Sequence, residues 1–535
     1  MKNIYIIIIT LLIAIGAVTW LYFKKLNSDN FSNEKIFNVI PQDASLVFEY
    51  KNEEYFYDIF KDFELFKDIL GSNTTTHLKA LKQVFVDDHT IAGAFLQSDI
   101  FFSIHPVAQY EADVLMVAPI VNDFTDDESL INTLQSKYKI NKTPDKENTL
   151  YQLEFSNKAI FNFYVNKGLV VGSFNESLVK KSLQQLIERN NNNNFNVDFN
   201  SIRNKNSIAN LYINFSKLRD FTNNFTNRKN PYETYALKSF DASASLNINY
   251  QSNAFMFSGI TTPNLKAKNY YNIFLGQEPG TNTLTKQLPY DVANYSLYYV
   301  SNYNKFHKEL KELLTYRKEI ENLNAQIETI SAKHSINLDK EIMPVFGKEF
   351  GVFQVASGDN LGIIKSTNTK RLAFLLSTIS SDVDGNIRHF DDSFILYNYF
   401  GDPFKTFKRP YYATIENHLI VANNATIINR FLNNYNKQKF LDLTDKNIDF
   451  QQYLSNQGNI FYFFHNSNSK AIIRSFLSKQ AYKDYRSDSF NWTNIYGFAI
   501  QFSADKDKFY TNMYMNKTPE AADLLPKIDS AALKF

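Results

Sequence analysis

The chain repeats itself at a separation of about 250 residues, and this self-similarity constrains the fold more than any other feature. Pro41-Gln-Asp43-Ala-Ser-Leu-Val-Phe-Glu-Tyr-Lys-Asn52 resembles Pro289-Tyr-Asp291-Val-Ala-Asn-Tyr-Ser-Leu-Tyr-Tyr-Val-Ser-Asn302. Leu150 to Phe155 resembles Leu396 to Phe400, Val165 to Ser173 resembles Ile415 to Asn423, and Asn210 to Phe215 resembles Asn459 to Phe464. Each match alone is weak, because apolar strands look alike. Four in the same order at nearly one offset point to a duplication. The alternative is two adjacent domains rich in similar strands. Either way the body divides near residue 286 into halves long enough to bury their own cores.

The residue pattern is mixed. Ala44 to Tyr50 alternates as a half-buried strand does, with Leu46, Phe48 and Tyr50 on one face. Asn52 is placed to cap a helix whose stripe is Phe56, Phe60, Phe63, Phe66 and Leu70, broken by Gly71 to Thr76. Tyr303 to Ser331 contains no Gly or Pro and predicts one long helix. Arg317 interrupts its apolar stripe, which favours packing on its own sheet over a partner helix. Phe161 to Ser173 reads as a hairpin turning at Asn166-Lys167-Gly168, followed by a helix with Leu178, Val179, Leu183 and Leu186. Tyr411 to Asn423 repeats this pattern. Ala244 to Tyr250 with Ala254 to Thr261, and Tyr496 to Ser503 with Lys508 to Met515, read as long hairpins closing each half. Asn190 to Asn194 is an Asn run within a polar loop. The order argues α+β with antiparallel sheets and packed helices.

Ile4 to Phe23 is a run of 20 residues without a charge. A helix of that length spans about 30 Å, the hydrocarbon thickness of a bilayer. It reads as an uncleaved signal-anchor, and Ala14-Ile15-Gly16-Ala17 marks the competing reading of a cleaved signal. Lys2 on one side and Lys24 and Lys25 on the other leave the charge rule without a vote. The very short leading tail places the bulk of the chain outside the cytoplasm. The expected layout is therefore a cytoplasmic tail (1–3), a transmembrane signal-anchor (4–23), a linker (24–38), a first α+β repeat (39–285), a second (286–516) and a C-terminal tail (517–535).

Composition narrows the chemistry. Lys+Arg is 57 against 55 Asp+Glu, without the basic excess of a general nucleic-acid binder. Cys is 0, which excludes disulfides, thiolate metal sites and Cys nucleophiles. Phe is 48 and Tyr 33 but Trp only 2, which suits AT-rich coding better than a glycan platform. No GxGxxG, Walker, HExxH or GxSxG pattern appears. Ser177-Leu-Val-Lys180 fits SxxK, the spacing of a Ser nucleophile activated by Lys, but so do Ser32 to Lys35 and Ser503 to Lys506. The only SDN triplet, Ser28 to Asn30, lies beside the apolar run. Asp382-Val-Asp384-Gly385-Asn386 begins like a calcium loop, with Asp391, Asp392 and His389 nearby, yet lacks the later ligands. Asp87-Asp88-His89 and Asp126-Asp127-Glu128 read as solvated loop or helix-start charges rather than acid–base pairs. No catalytic, cofactor or metal residue is assigned.

The Pro41-x-Asp43-Ala44 opening, the alternating strand, the aromatic helix and Gly168-Leu-Val-Val-Gly-Ser173 with its helix resemble a family of single-pass bacterial envelope proteins of unknown function. That family is common in Gram-negative bacteria with AT-rich genomes. The resemblance implies an N-terminal anchor and a large periplasmic body, and brings no catalytic residues with it. The expected function is a non-enzymatic inner-membrane protein that binds or scaffolds other envelope components. The alternative is a periplasmic carrier for lipid or another hydrophobic ligand. An unrecognised hydrolase is a more distant reading. A body with two equivalent halves would also suit a dimeric partner.

Overall fold

The computed structural model describes residues 35–52, 64–96, 98–120, 127–145, 148–188, 207, 209–227, 240–251, 253–487 and 491–518. The apolar run 4–23, Ser28 to Asn30, the Asn run, and Phe56, Phe60 and Phe63 lie outside them, as do the side chains of Phe66 and Leu70. Among the described residues no helix is long and apolar enough to cross a membrane. The chain is α+β and forms two compact units. One comprises residues up to 57 with Thr76–Tyr212, the other Asp58–Thr75 with Ile213–Phe535.

The first unit is built on eight strands: β1 (Leu46–Lys51), β2 (Asp99–Ala108), β3 (Glu111–Pro119), β4 (Ile140–Asp145), β5 (Asn148–Glu154), β6 (Ile160–Asn166), β7 (Leu169–Ser173) and β8 (Ala209–Asn214). They lie in the order β8-β1-β2-β3-β7-β6-β5-β4. The β6–β7 turn is as expected: Lys167 and Gly168 both take positive φ, which a two-residue hairpin of this twist requires. Gly172 is needed for a different reason, since a Cβ there would sit 2.3 Å from the Phe161 ring.

Helices cover both faces of this sheet. Val47, Phe101, Val117, Tyr164 and Val171 pack against Leu178, Val179 and Leu183 of α3 (Glu176–Glu188) and against Ile36 to Ile40. On the other face Phe161 and Phe163 stack, with Phe85 of α1 (Glu64–Phe85) edge-on to Phe161 at 6.3 Å. In β1, Val47 and Glu49 are the most deeply buried positions, whereas Leu46 and Phe48 of the expected apolar face are half-buried and Tyr50 is buried. α1 also runs straight through Gly71 to Thr76, where a break was expected. A mid-helix Gly costs only about 1 kcal/mol, and buried Ala80, Leu81, Val84 and Phe85 anchor the last turns. Asn52 donates its side-chain amide to the Phe95 carbonyl at 2.9 Å. The start of the helix it was expected to cap lies outside the described residues.

The second unit begins with the hairpin β9 (Ala242–Gln251) and β10 (Ala254–Pro263). Ten more strands continue its sheet, while Gly280–Thr281 and Gln457–Gly458 pair separately: β11 (Val292–Tyr299), β12 (Phe346–Val355), β13 (Asn360–Ser366), β14 (Ser380–Asp384), β15 (Ile387–Phe390), β16 (Tyr411–Ile415), β17 (His418–Ala422), β18 (Ile460–His465), β19 (Ile495–Asp505) and β20 (Lys508–Lys517). Every neighbouring pair is antiparallel, in the order β9-β10-β20-β19-β18-β11-β12-β13-β17-β16-β15-β14.

The long helix expected over Tyr303 to Ser331 is two helices, α4 (Tyr303–Tyr316) and α5 (Ile320–His334). Lys318 takes φ +59°, and the amides of Arg317, Lys318 and Glu319 turn back to the carbonyls of Leu313, Thr315 and Leu314. The stripe irregularity at Arg317 is the break itself, because its guanidinium turns to Asp402 at 2.5 and 3.0 Å. α4 packs on its own sheet, with Phe306 against Phe350 at 5.4 Å and Phe350 against Phe400 at 4.9 Å. The opposite face buries Leu297, Phe353, Ile363 and Ile420 against Ile428 and Phe431 of α7 (Ala425–Asn436), α6 being Thr369–Ser377. Phe and Tyr in these clusters serve as core, each burial stabilising by about 1.5–3 kcal/mol.

Candidate functional site

The polar group with the most chemical potential lies in the first unit. The turn at Pro41, closed by Ala44 N–H to the Pro41 carbonyl at 3.0 Å, carries Asp43 to the side of β2. Ser103 and His105 alternate along β2 and so share one face. His105 Nδ1 lies 2.9 Å from Asp43 Oδ1, and His105 Nε2 lies 2.8 Å from Ser103 Oγ. Lys181 of α3 donates to Asp43 Oδ2 at 2.5 Å. The network assigns the neutral tautomer: Nδ1–H donates to the carboxylate and the Ser103 hydroxyl donates to Nε2.

The electrostatics agree with that assignment. Burial opposes ionisation of Asp43, but the bonds from His105 and Lys181 outweigh it and hold the carboxyl at about 2. For His105 burial dominates and holds the imidazole below its ordinary value, against the pull of Asp43.

This connectivity is that of a Ser-His-Asp triad. The surroundings are not. Ser103 and His105 have 0% of their surface exposed. Ser103 sits on a regular antiparallel strand, its oxygen 3.5 Å from the Leu115 carbonyl, with no sharp turn to present it. A substrate carbonyl cannot reach within bonding distance of a hydroxyl without accessible surface. As built, the group fastens the Pro41 turn, β2 and α3 together.

The second unit carries a related turn, Pro289 to Val292, closed by Val292 N–H to the Pro289 carbonyl at 3.1 Å. Asp291 stands beside a cleft of about 10 Å³, which Val355, Leu361, Arg430 and Phe431 help to line. That is about the room of one water. Arg430 is turned to Ser357 at 2.8 Å and Asp359 at 2.6 Å. Asp291 Oδ1 is buried without a hydrogen-bond partner among the described residues, and burial raises its pKa. Here Gln354 takes a bond from Asn294 at 2.9 Å, and no imidazole relay forms.

The residues singled out in the sequence fall elsewhere. Ser177 bonds Asn175 at 2.6 Å while Lys180 pairs with Glu176 at 2.7 Å, so the SxxK residues do not join. Ser503 reaches the Gln457 carbonyl at 3.3 Å, and Ser32 lies outside the described residues. Asp382 pairs with Arg388, Asp391 accepts from Ser381 at 2.5 Å, and Asp392 pairs with Lys333 at 3.3 Å. His389 rests against the Arg409 carbonyl at 3.1 Å. Asp88 caps the helix His89–Phe95 and pairs with Lys137, Asp87 pairs with Lys82, and Asp127 accepts from Gly168 N–H at 3.0 Å. Asp126 lies outside the described residues. Among the described residues no group of three or more His, Asp or Glu is placed to hold a metal ion.

Sequence reasoning quoted Asp43 and Asp291 as repeat markers but missed Ser103, His105, Lys181 and Arg430. The available signal was Ser-x-His on a strand, which is weak without a third dimension. No protein-family model, curated protein or solved structure matches this chain.

Proposed function

We propose that the chain is a duplicated, non-enzymatic scaffold of the bacterial envelope, anchored in the inner membrane by residues 4–23 with its body in the periplasm, that binds other envelope components. The duplication is supported by strand order. Adding ten to each label of β8-β1-β2-β3-β7-β6-β5-β4 gives β18-β11-β12-β13-β17-β16-β15-β14, the order of the last eight strands of the second unit. Helix α2 (Asp127–Lys137) between β3 and β4 corresponds to α6 between β13 and β14, and α3 corresponds to α7.

The observation that carries the non-enzymatic reading is the burial of Ser103 and His105: among the described residues, the hydroxyl and imidazole of this relay have no exposed surface. The cleft at Asp291 holds about 10 Å³, against roughly 300–1,000 Å³ for a site that encloses a lipid-sized ligand. The test is to treat the purified, folded chain with a fluorophosphonate and weigh it. The mass is expected to stay unchanged. A stoichiometric adduct on Ser103 would overturn the reading.

A further inference from the structure

The two closing hairpins meet. β9–β10 turns between the paired residues Gln251 and Ala254, and β19–β20 turns between Asp505 and Lys508, so one hairpin maps onto the other by a shift of 254 positions. Their last strands, β10 and β20, pair antiparallel from Ala254↔Asn516 to Thr261↔Phe509. At the centre of that ladder Ser258 faces Asn512, and these two residues are also 254 positions apart. Some point of any antiparallel ladder sets residues at a given shift opposite each other; what the seam adds is that this point falls in the middle of the Ala254–Thr261 ladder and not beyond its ends.

A shift that maps one strand onto its partner and places equivalent residues opposite each other defines a local twofold axis. The neighbouring pairs then follow from the antiparallel register: Phe257↔Met513 exchanges with Gly259↔Thr511, and Met256↔Tyr514 with Ile260↔Tyr510. This is the geometry of an isologous dimer contact, in which each side presents the same patch. Further contacts lie beside the ladder, although the shift does not exchange their partners. Thr226 bridges Leu477, and Phe240 lies 5.4 Å from Phe502 and 6.4 Å from Phe509.

We propose that the β10–β20 seam is a homodimer interface retained inside one chain: the edge of β10 is an interaction surface whose fitted partner is the same edge of a second repeat. This rests on the duplication reading. The tether is then dispensable for pairing. It runs through an exposed turn in which Leu265 has 56% of its surface in water.

The test places a protease site at Leu265–Lys266 of the full chain and cuts the folded protein. The nicked fragments are expected to migrate as one particle with both pieces in equal amounts. Lys517 N–H bonds the Asn253 carbonyl, so the odd-numbered amides of β20 face β10. Met513→Pro removes one of them, and is expected to loosen fragment association at least tenfold. Fragments that separate in the unsubstituted chain, or an unchanged affinity in Met513→Pro, would overturn the proposal. Should Met513→Pro fail to fold, Ser258→Cys/Asn512→Cys in this cysteine-free chain keeps the question open to measurement. A disulfide is expected to hold the nicked fragments together in denaturant, and a folded chain that forms none contradicts the seam. Failure of the duplication reading is distinguishable, because it would appear as unlike strand orders in an experimental structure whatever the nicked chain does.

Discussion

Asp43 and His105 stand 62 residues apart in the chain and 2.9 Å apart in space, and the bond between them joins the turn before β1 to the middle of β2. Lys181 closes the same carboxylate from α3. Three segments distant in sequence are thus fixed by one side chain, only about a quarter of which is exposed (26%). Replacing Asp43 by Asn removes the charged acceptor that serves both His105 and Lys181. We expect a loss of about 1–3 kcal/mol at pH 7, read by urea unfolding. No measurable loss would contradict the fastening role.

The pH dependence follows from the same pair. His105 is held below its ordinary value, so its contribution is present above the unfolded imidazole pKa near 6.5 and is lost as pH falls towards the folded one. His307 and His465, both lowered to about 4, and His418, also lowered, act in the same direction. Asp43 contributes above about 3.8, and that part is lost as pH falls through about 2. The melting temperature is expected to drop between pH 7 and 5, with a shallower slope in His105→Gln. A slope unchanged by that substitution would count against a buried neutral His105.

Arg317 and Asp402 form a two-bond pair with Asp402 only 2% exposed. Arg317→Ala leaves that carboxylate buried without its partner, at a cost of about 2–3 kcal/mol, the lower end for a buried pair because Arg317 is itself 22% exposed. Arg317→Met with Asp402→Leu is expected to recover most of it. A single variant as stable as the parent would show that the pair does not hold the α4–α5 break.

Lys318 pays the left-handed conformational cost at that break, with φ +59°. Lys318→Gly is expected to stabilise the chain by up to about 1 kcal/mol. Destabilisation would mean that the left-handed backbone at Lys318 carries no strain for Gly to relieve.

Much of the fold was legible because it is local. Hairpins such as β6–β7, β9–β10 and β19–β20 carry their turn chemistry and alternation within about 20 residues. What escaped depends on distance. Lys318 leaves no mark of its own, since a Lys at φ +59° looks like any other in sequence and the neighbouring Arg317 bonds Asp402, 85 positions away. Gly71 to Thr76 looked like a stop, but weak local penalties yield to a packed helix end. The Ser103-His105-Asp43-Lys181 group is assembled from three elements; Asp43 stood out only as a repeat marker, and Ser-x-His on β2 says little until the Pro41 turn and α3 are brought beside it.

Location is testable because the chain has no cysteine. Asn386→Cys places a single thiol in the exposed β14–β15 turn. In cells with a permeabilised outer membrane, a membrane-impermeant maleimide is expected to label it without lysis. Labelling only after lysis would place the body in the cytoplasm.

The central claim is that this body binds protein rather than carrying lipid or catalysing a reaction. The most direct measurement is native mass spectrometry of the full chain, tagged at its C-terminus and released from its own membranes in mild detergent. We expect the chain mass together with a stoichiometric protein partner and no retained acyl lipid. A chain that leaves the membrane without protein partners and with lipid bound in fixed proportion would contradict the account.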